Sequence, residues 1–225
     1  MSIVAWGWGD YTHPRRFNTD FDLTTVCWLW TKFEDGDHLR AWDAAAVQAA
    51  DPNGPNVNDK SSTGAYDLQE GLYLGNLGEI AAARAFSVVA ELGPVGRRDF
   101  RSHSGLCVEV KSTAKSAGGV SCNARTPIKA DVKAIILVWL RDARWAMLVG
   151  YCRPAVFEKH KERQAQGKGR GWWLMHRKHL SHIGRLLLAE KTLEGGKIVP
   201  LKRCDTCYAA ISGMHEQCPV HERRP

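Results

Sequence analysis

The pattern of apolar and polar positions along the middle of the chain predicts one long helix. Two apolar stripes at helical spacing cover residues 67–91, and the alanines among them favour helix formation. The stripes consist of Leu72, Ala83, Phe86 and Ala90 on one side and Leu74, Leu77, Ala81 and Val88 on another. Because apolar residues occupy most of its circumference, we expect this helix to be largely buried and to end at Gly93-Pro94.

Short apolar segments after this helix predict a small mixed sheet. Residues 95–101 and 106–113 are predicted strands with turn-forming residues between them, and residues 134–140 and 145–151 are a second such pair. The remaining elements predicted are a helix at 154–166, a strand at 172–176 and a last helix at 178–190. This order of elements predicts an α/β fold in which helices flank a mixed sheet.

The regions on either side of this core differ from it in composition. Residues 1–50 are rich in tryptophan, with a predicted strand at 24–32 and a short helix at 39–50. Residues 51–66 are dense in Pro, Gly, Asn, Asp and Ser, which favours a loop or linker. We therefore divide the chain into an N-terminal extension and linker, a core and a C-terminal module. Their predicted bounds are 1–66, 67–190 and 191–225.

Charge and apolar content restrict the classes of partner. The 225 residues carry a formal net charge of +7, which favours a polyanion such as nucleic acid. No apolar run approaches the roughly 18 residues of a membrane helix, and the N-terminus lacks a signal-peptide pattern. We therefore expect a cytoplasmic protein without a membrane partner. The cysteines number 7, and an odd count argues against a disulfide framework in such a protein.

Acidic and basic side chains share one face of the second predicted strand. Val108 and Val110 point to the core, so Glu109 and Lys111 lie side by side on the opposite face. If this strand forms a hairpin with the one before it, Asp99 comes close to Glu109. Two carboxylates beside an ammonium group are suited to Mg²⁺-assisted hydrolysis of a phosphodiester bond.

Glu79 adds a third carboxylate to this set. It is the one acid on the inner part of a helix that is otherwise apolar, where an unpaired charge is costly. A bound cation would offset that cost. Glu79 is therefore a candidate outer ligand or water anchor for the same metal ion.

These residues resemble, in type and order, the motif of the PD-(D/E)xK nucleases of the restriction-endonuclease-like superfamily. The matching residues are Gly75-Asn76-Leu77-Gly78-Glu79, then Asp99, then Glu109-Val110-Lys111. The resemblance covers about residues 67–190, and Arg98 stands where the family's motif has a proline.

This resemblance implies a restriction-endonuclease-like fold and a Mg²⁺-dependent deoxyribonuclease. It implies that Asp99, Glu109 and the carbonyl of Val110 bind Mg²⁺, that Lys111 is catalytic and that Glu79 acts from the outer shell. DNA is then the expected partner. A homodimer is possible because many nucleases of this kind dimerise to cut both strands.

Simpler interpretations of the same residues stay open. Acids and bases often alternate on a solvated strand, so Glu109 and Lys111 could form an ion pair of little consequence. The chain would then be a non-catalytic, zinc-containing DNA-binding or recruitment protein. Another alternative keeps the nuclease but gives it RNA as its substrate, because the chemistry at phosphorus hardly differs.

Two pairs of metal-ligand residues stand near the C-terminus. Cys204 and Cys207 form one pair, Cys218 and His221 the other, and His215 between them is a spare candidate. The spacing is typical of tetrahedral zinc sites, and four protein ligands leave no open position for catalysis. We predict a structural Zn²⁺ that supplies the folding energy of this module, which resembles a zinc ribbon or knuckle. Reduced cysteines in a disordered tail are the alternative.

Basic residues gather between positions 159 and 178, next to two tryptophans. They are Lys159, His160, Lys161, Arg163, Lys168, Arg170, Arg177 and Lys178, with Trp172 and Trp173 among them. Basic residues interleaved with aromatic ones suit a nucleic-acid groove. A solvated face with tryptophans in the core explains them equally well.

Overall fold

The described part of the protein contains both helices and strands. The computed structural model describes residues 29–51, 68–93, 99–114, 119–123, 128–166, 170–187, 202–203 and 210–211. The helices are α1 Asp37–Ala50, α2 Leu68–Ala85 and α3 Pro154–His160. The strands are β1 Leu29–Lys32, β2 Phe100–Arg101, β3 Cys107–Thr113, β4 Val120–Asn123, β5 Ala134–Leu140, β6 Trp145–Cys152, β7 Glu162–Gln166, β8 Arg170–Met175, β9 Lys202–Arg203 and β10 Ala210–Ile211.

The described strands form one large and one small sheet. The main sheet has the order β2-β3-β5-β6-β1-β10-β9, and the small sheet has the order β4-β8-β7. In the main sheet β3 and β5 are parallel, whereas β5 and β6 are antiparallel. Helices and a mixed sheet therefore occur together, which confirms the predicted α/β class.

The segments before and after residues 67–190 both contribute strands to the main sheet. β1, from the segment predicted as an extension, pairs antiparallel with β6 along its whole length. On its other side β1 pairs in parallel with β10, from the segment predicted as a C-terminal module. Some of the backbone hydrogen bonding of the central sheet is therefore supplied by residues outside 67–190.

Two layers cover the main sheet, one on each face. Residues of α1, α2 and the helical turn at 183–187 pack on one face, together with Ile136 and Val138 of β5. The small sheet and α3 cover the other face, where Ile135 and Leu137 are buried. Because both faces of β5 are covered, its sequence is an almost unbroken apolar run.

The long helix ends earlier than the apolar stripes predict. α2 stops at Ala85, and Ser87 has a φ of 57°, in the left-handed region. The backbone N–H of Val88 donates to the carbonyl of Ala83 at 3.0 Å, and that of Ser87 donates to Arg84 at 2.9 Å. These two bonds form a Schellman cap, which satisfies the last carbonyls of the helix and reverses the chain. The predicted end at Gly93-Pro94 is wrong for this reason.

The predicted helix at 154–166 is wrong in its second half. α3 ends at His160, and Glu162–Gln166 forms β7, which pairs antiparallel with β8. Residues 162–166 have no strong β-strand composition, so the partner strand determines their conformation. The last predicted helix also starts late: Arg177–His179 is a 3₁₀ turn, and regular helix begins only at residue 183.

The other predicted elements within the described residues are confirmed. The structure has strands over 134–140 and from 145 onward, a helix over 39–50 and a hairpin that joins β2 to β3. The predicted linker and the zinc ligands Cys204, Cys207, Cys218 and His221, with His215, lie outside the described residues. None of the described helices has the length and apolar character needed to cross a membrane.

Candidate active site

The candidate site lies at one edge of β3. β5 pairs with β3 from Val108 to Thr113, but β2 covers only Cys107 and Val108 on the other side. Beyond Val108 the described part of the chain places no further strand on that edge. The side chain of Asp99 lies there instead, and its Oδ2 accepts a hydrogen bond from the backbone N–H of Val110. This bond holds a carboxylate next to the strand.

Glu109 and Lys111 share one face of β3. Nζ of Lys111 donates to Oε1 of Glu109 across 2.6 Å, with 28% of the lysine side chain and 18% of the glutamate side chain exposed. Val108 and Val110 are buried on the opposite face, against α2. The alternation predicted from the sequence is therefore confirmed, and both charged groups project to the side of the sheet where the small sheet packs.

Gly78 lets α2 approach β3 closely enough to bring Glu79 to this edge. A Cβ atom at Gly78 would lie 1.7 Å from Oγ and 2.9 Å from Cβ of Ser112. No side chain fits in that space, so the helix and the strand can be this close only with glycine at position 78. Glu79, the next residue, is partly buried and lies within electrostatic reach of Asp99 and Glu109.

Burial and neighbouring charge hinder the ionisation of Glu79 and Asp99 at this edge. Burial raises the pKa of Asp99 to about 7, and the charge of Glu109 adds to the rise. Burial also raises the pKa of Glu79 well above its usual range, with Asp99 and Glu109 adding to it. Lys111 and Lys129 lower both pKa values without cancelling the rise. Such a group of carboxyls favours binding of protons or of a cation.

Lys111 remains a cation in this environment. Burial by itself lowers the pKa of Lys111, but the charge of Glu109 and its hydrogen bond outweigh burial, so the pKa lies above its ordinary value. At neutral pH the lysine is therefore protonated and donates to Glu109. It can orient a water molecule or stabilise negative charge, but it does not act as a base in this state.

Two residues near the site were not predicted from the sequence. The charge of Lys129, in the segment before β5, lowers the pKa values of both Glu79 and Asp99. The charges of Lys111 and Glu109 act on the Cys122 thiol of β4, whose pKa is raised by burial. Neither residue belongs to a motif, and only the fold brings these loop and small-sheet positions to the edge of β3.

The donor chemistry of the site fits Mg²⁺ in part. Mg²⁺ takes oxygen ligands, usually one or two carboxylates with water and phosphate completing the shell. Asp99 and Glu109 provide such oxygens, and the carboxylates of Glu79, Asp99 and Glu109 outnumber the ammonium groups of Lys111 and Lys129. Within the described residues, no three His, Cys, Asp or Glu side chains are arranged to enclose a metal ion. Asp99 and Glu109 are therefore the candidate ligands, with Glu79 at the periphery.

The predicted zinc ligands lie outside the described residues, but two described strands stand near them in the sequence. β9 ends directly before Cys204, and β10 begins three residues after Cys207. β9 and β10 pair antiparallel.

Comparison with protein-family models, with curated proteins and with solved structures found no match to this chain.

Proposed function

We propose that the protein is a Mg²⁺-dependent deoxyribonuclease that hydrolyses DNA phosphodiester bonds. The observation that carries this proposal is the convergence of Glu79, Asp99, Glu109 and Lys111 at one edge of β3. Their order along the chain is that of the PD-(D/E)xK nucleases, and a helix followed by a hairpin and a mixed sheet is compatible with a restriction-endonuclease-like fold. The net charge of +7 suits a polyanionic substrate.

Each residue has a role in this proposal that follows from its contacts. Asp99 and Glu109 would hold Mg²⁺, which when bound lowers the pKa of a ligated water and offsets charge on the phosphate. Lys111, kept protonated by Glu109, orients the attacking water and stabilises negative charge that develops on the phosphate oxygens. Glu79 positions water at the periphery. Attack of the water oxygen on phosphorus breaks one P–O bond and leaves a phosphate monoester and an alcohol.

The test is cleavage of plasmid and linear DNA by the purified protein with Mg²⁺ or with EDTA. We expect the wild type to cut only with Mg²⁺ and Lys111→Ala to lose about a hundredfold or more of the rate. Lys133→Ala is the matched control, because Lys133 is an exposed lysine near the start of β5 and has no role in the proposal. It should cut like the wild type.

Other results would select among the alternatives. If the wild type and Lys111→Ala both shift DNA in a gel and neither cuts it, the protein is a non-catalytic DNA-binding or recruitment protein. Cleavage of RNA but not DNA would keep the site and change the substrate. Equal cleavage by the wild type and Lys111→Ala would overturn the assignment of Lys111.

We propose in addition that Cys204, Cys207, Cys218 and His221 bind one structural Zn²⁺. The spacing of the four residues supports this, as does the antiparallel pairing of β9 and β10, which precede and follow the first pair in the sequence. Metal analysis of the purified protein should find about one zinc per chain. A purified protein that is folded but contains no zinc would contradict the proposal.

Dimerisation and cytoplasmic location stay predictions. Light scattering tests whether the protein is a dimer.

A further inference from the structure

Two chain segments meet on the small-sheet side of the molecule and form a basic ridge. The first runs from Lys159 to Arg163, across the end of α3 and the start of β7, and the second runs from His176 to His179. The rings of His160 and His179 stack with centroids 4.1 Å apart, which holds the two segments together. The ridge consists of Lys159, His160, Lys161, Arg163, His176, Arg177, Lys178 and His179.

Two acids lie on this ridge beside basic side chains. Glu158 forms an ion pair with Lys161, and Oε2 of Glu162 lies 3.7 Å from Nε2 of His176, which carries a charge only when protonated. Lys159 and Lys178 are exposed, and neither pairs with a carboxylate within the described residues. The ridge therefore has an excess of positive charge that its own acids do not neutralise. An internal salt-bridge network would not leave such an excess, but a surface for anions would.

The ridge leads from the surface to the candidate active site. Nζ of Lys161 lies 4.6 Å from the ring centre of Trp173, and Trp173 is opposite Cys122 in the β4–β8 pair. Glu109 and Lys111 project to this same side of the main sheet, near enough for their charges to act on Cys122. Trp173 packs against the core, so the ridge offers cations for phosphates more than an aromatic surface for bases.

We propose that this ridge binds the phosphodiester backbone of duplex DNA and guides it to the edge of β3. The proposal rests on the nuclease function proposed above and names the surface through which that site receives its substrate. Contacts from Lys159, Arg163 and Lys178 to phosphates release counterions from the duplex, so they strengthen binding without regard to base sequence. Binding through the ridge should accordingly weaken as salt is raised.

The experiment measures binding of a fluorescent DNA duplex by anisotropy over a range of salt concentrations, in EDTA and with Lys111→Ala as the parent. The ridge variant adds Lys159→Gln and Lys178→Gln. The control adds Arg144→Gln and Arg185→Gln, which remove the same charge from exposed positions. Arg144 lies between β5 and β6, and Arg185 lies on the helical turn that packs on the opposite face of the sheet.

We expect the ridge variant to bind about tenfold more weakly than the parent and the slope of log Kd against log salt to fall by about 2. The control should bind like the parent. Equal binding by the ridge variant and the control would overturn the proposal, as would a wild type that does not bind DNA. If the ridge variant lost affinity for an RNA duplex but not for the DNA duplex, the assignment to DNA would be overturned.

DNA cleavage by the wild type, and by the wild type carrying either the ridge or the control substitutions, separates the two proposals. If the wild type cuts DNA but the ridge variant matches the control in KM, the ridge proposal fails and the nuclease stands. If the ridge variant loses binding but the wild type never cuts, DNA binding by the ridge stands, and the nuclease function fails together with the delivery of DNA to the edge of β3. Thermal unfolding of each variant checks that the fold is retained.

Discussion

Glu79 and Asp99 differ from the buried acid Asp37 in how their charge is compensated. Asp37 forms an ion pair of 2.8 Å with Arg84, and it also accepts a hydrogen bond from the backbone N–H of Glu34. That arrangement places the guanidinium of Arg84 beside the Asp37 carboxylate, with the exposed Glu34 as a second partner at 3.5 Å, and it joins α1 to α2. At the edge of β3 the pKa values of Glu79 and Asp99 rise, chiefly because both groups are buried. Such raised pKa values are found at functional sites more often than in structural ion pairs.

The raised pKa of Asp99 predicts how the stability of the metal-free protein depends on pH. A carboxyl group whose pKa is higher in the folded state stabilises the fold at low pH, and that contribution is lost as pH rises through about 7. Mg²⁺ competes with the proton, so it should raise the melting temperature more at about pH 8 than at about pH 6. Thermal unfolding with Mg²⁺ and with EDTA measures both effects.

Asp99→Asn is the control for this prediction, because the amide has a similar size and does not titrate. Its melting temperature in EDTA should vary less with pH than that of the wild type, and Mg²⁺ should stabilise it little. If Mg²⁺ raised the melting temperature equally at both pH values, Asp99 would not be a ligand that exchanges a proton for the metal.

The contact between α2 and β3 is the element-level feature on which the site depends. Gly78→Ala places a methyl group where Ser112 already lies, so the helix and the strand must separate. We expect the free energy of unfolding to fall by about 1–3 kcal/mol, as for other overpacked positions. Cleavage should fall as well, because Glu79 moves away from Asp99 and Glu109. Urea denaturation and the DNA cleavage assay measure the two effects.

Gly75→Ala, one turn earlier on the same helix, is the matched control. A Cβ at Gly75 meets nothing within 4 Å, so only the helix preference of alanine should act. We expect a gain of about 0.5–1 kcal/mol in the free energy of unfolding and no change in cleavage. If Gly78→Ala gained stability in the same way, the close approach would not limit the position of α2.

In the whole molecule, the C-terminal segment is joined to the core through backbone pairing. β10 adds to β1 in the main sheet, and β9 pairs with β10. If the proposed zinc site holds the loop between β9 and β10, zinc stabilises the outer part of the sheet as well as its own module. The unpaired edge of β1 would otherwise be exposed to other chains.

Removal of zinc should therefore lower the stability of the entire protein. We expect the double variant Cys204→Ser and Cys207→Ser to lose its zinc, to melt at a lower temperature and to aggregate more readily. The double variant Cys107→Ser and Cys152→Ser is not a suitable control, because both thiols are buried in the protein interior. Treatment of the wild type with a zinc chelator is the better comparison. Unchanged melting after zinc loss would show that β10 holds to β1 without the metal.

The face of β3 on which Glu109 and Lys111 lie could be predicted because the pattern that identifies it is local. Alternation along β3 separates Val108 and Val110 from Glu109 and Lys111, and it depends only on the two-residue period of a strand. The apolar run of β5 and the hairpin before β3 likewise follow from neighbouring residues. These features follow from the local sequence and do not depend on contacts with the rest of the molecule.

Other features depend on contacts between distant segments, and only the tertiary structure decided them. Glu162–Gln166 is a strand because β8 supplies its hydrogen bonds. β1 lies beside β6 for a similar reason, since the pairing energy of a strand comes from its partner. Lys129 belongs to the site only because the segment before β5 comes near α2 and Asp99. A local sequence pattern cannot specify a contact between distant segments, because the free energy of that contact arises only when the segments pack together.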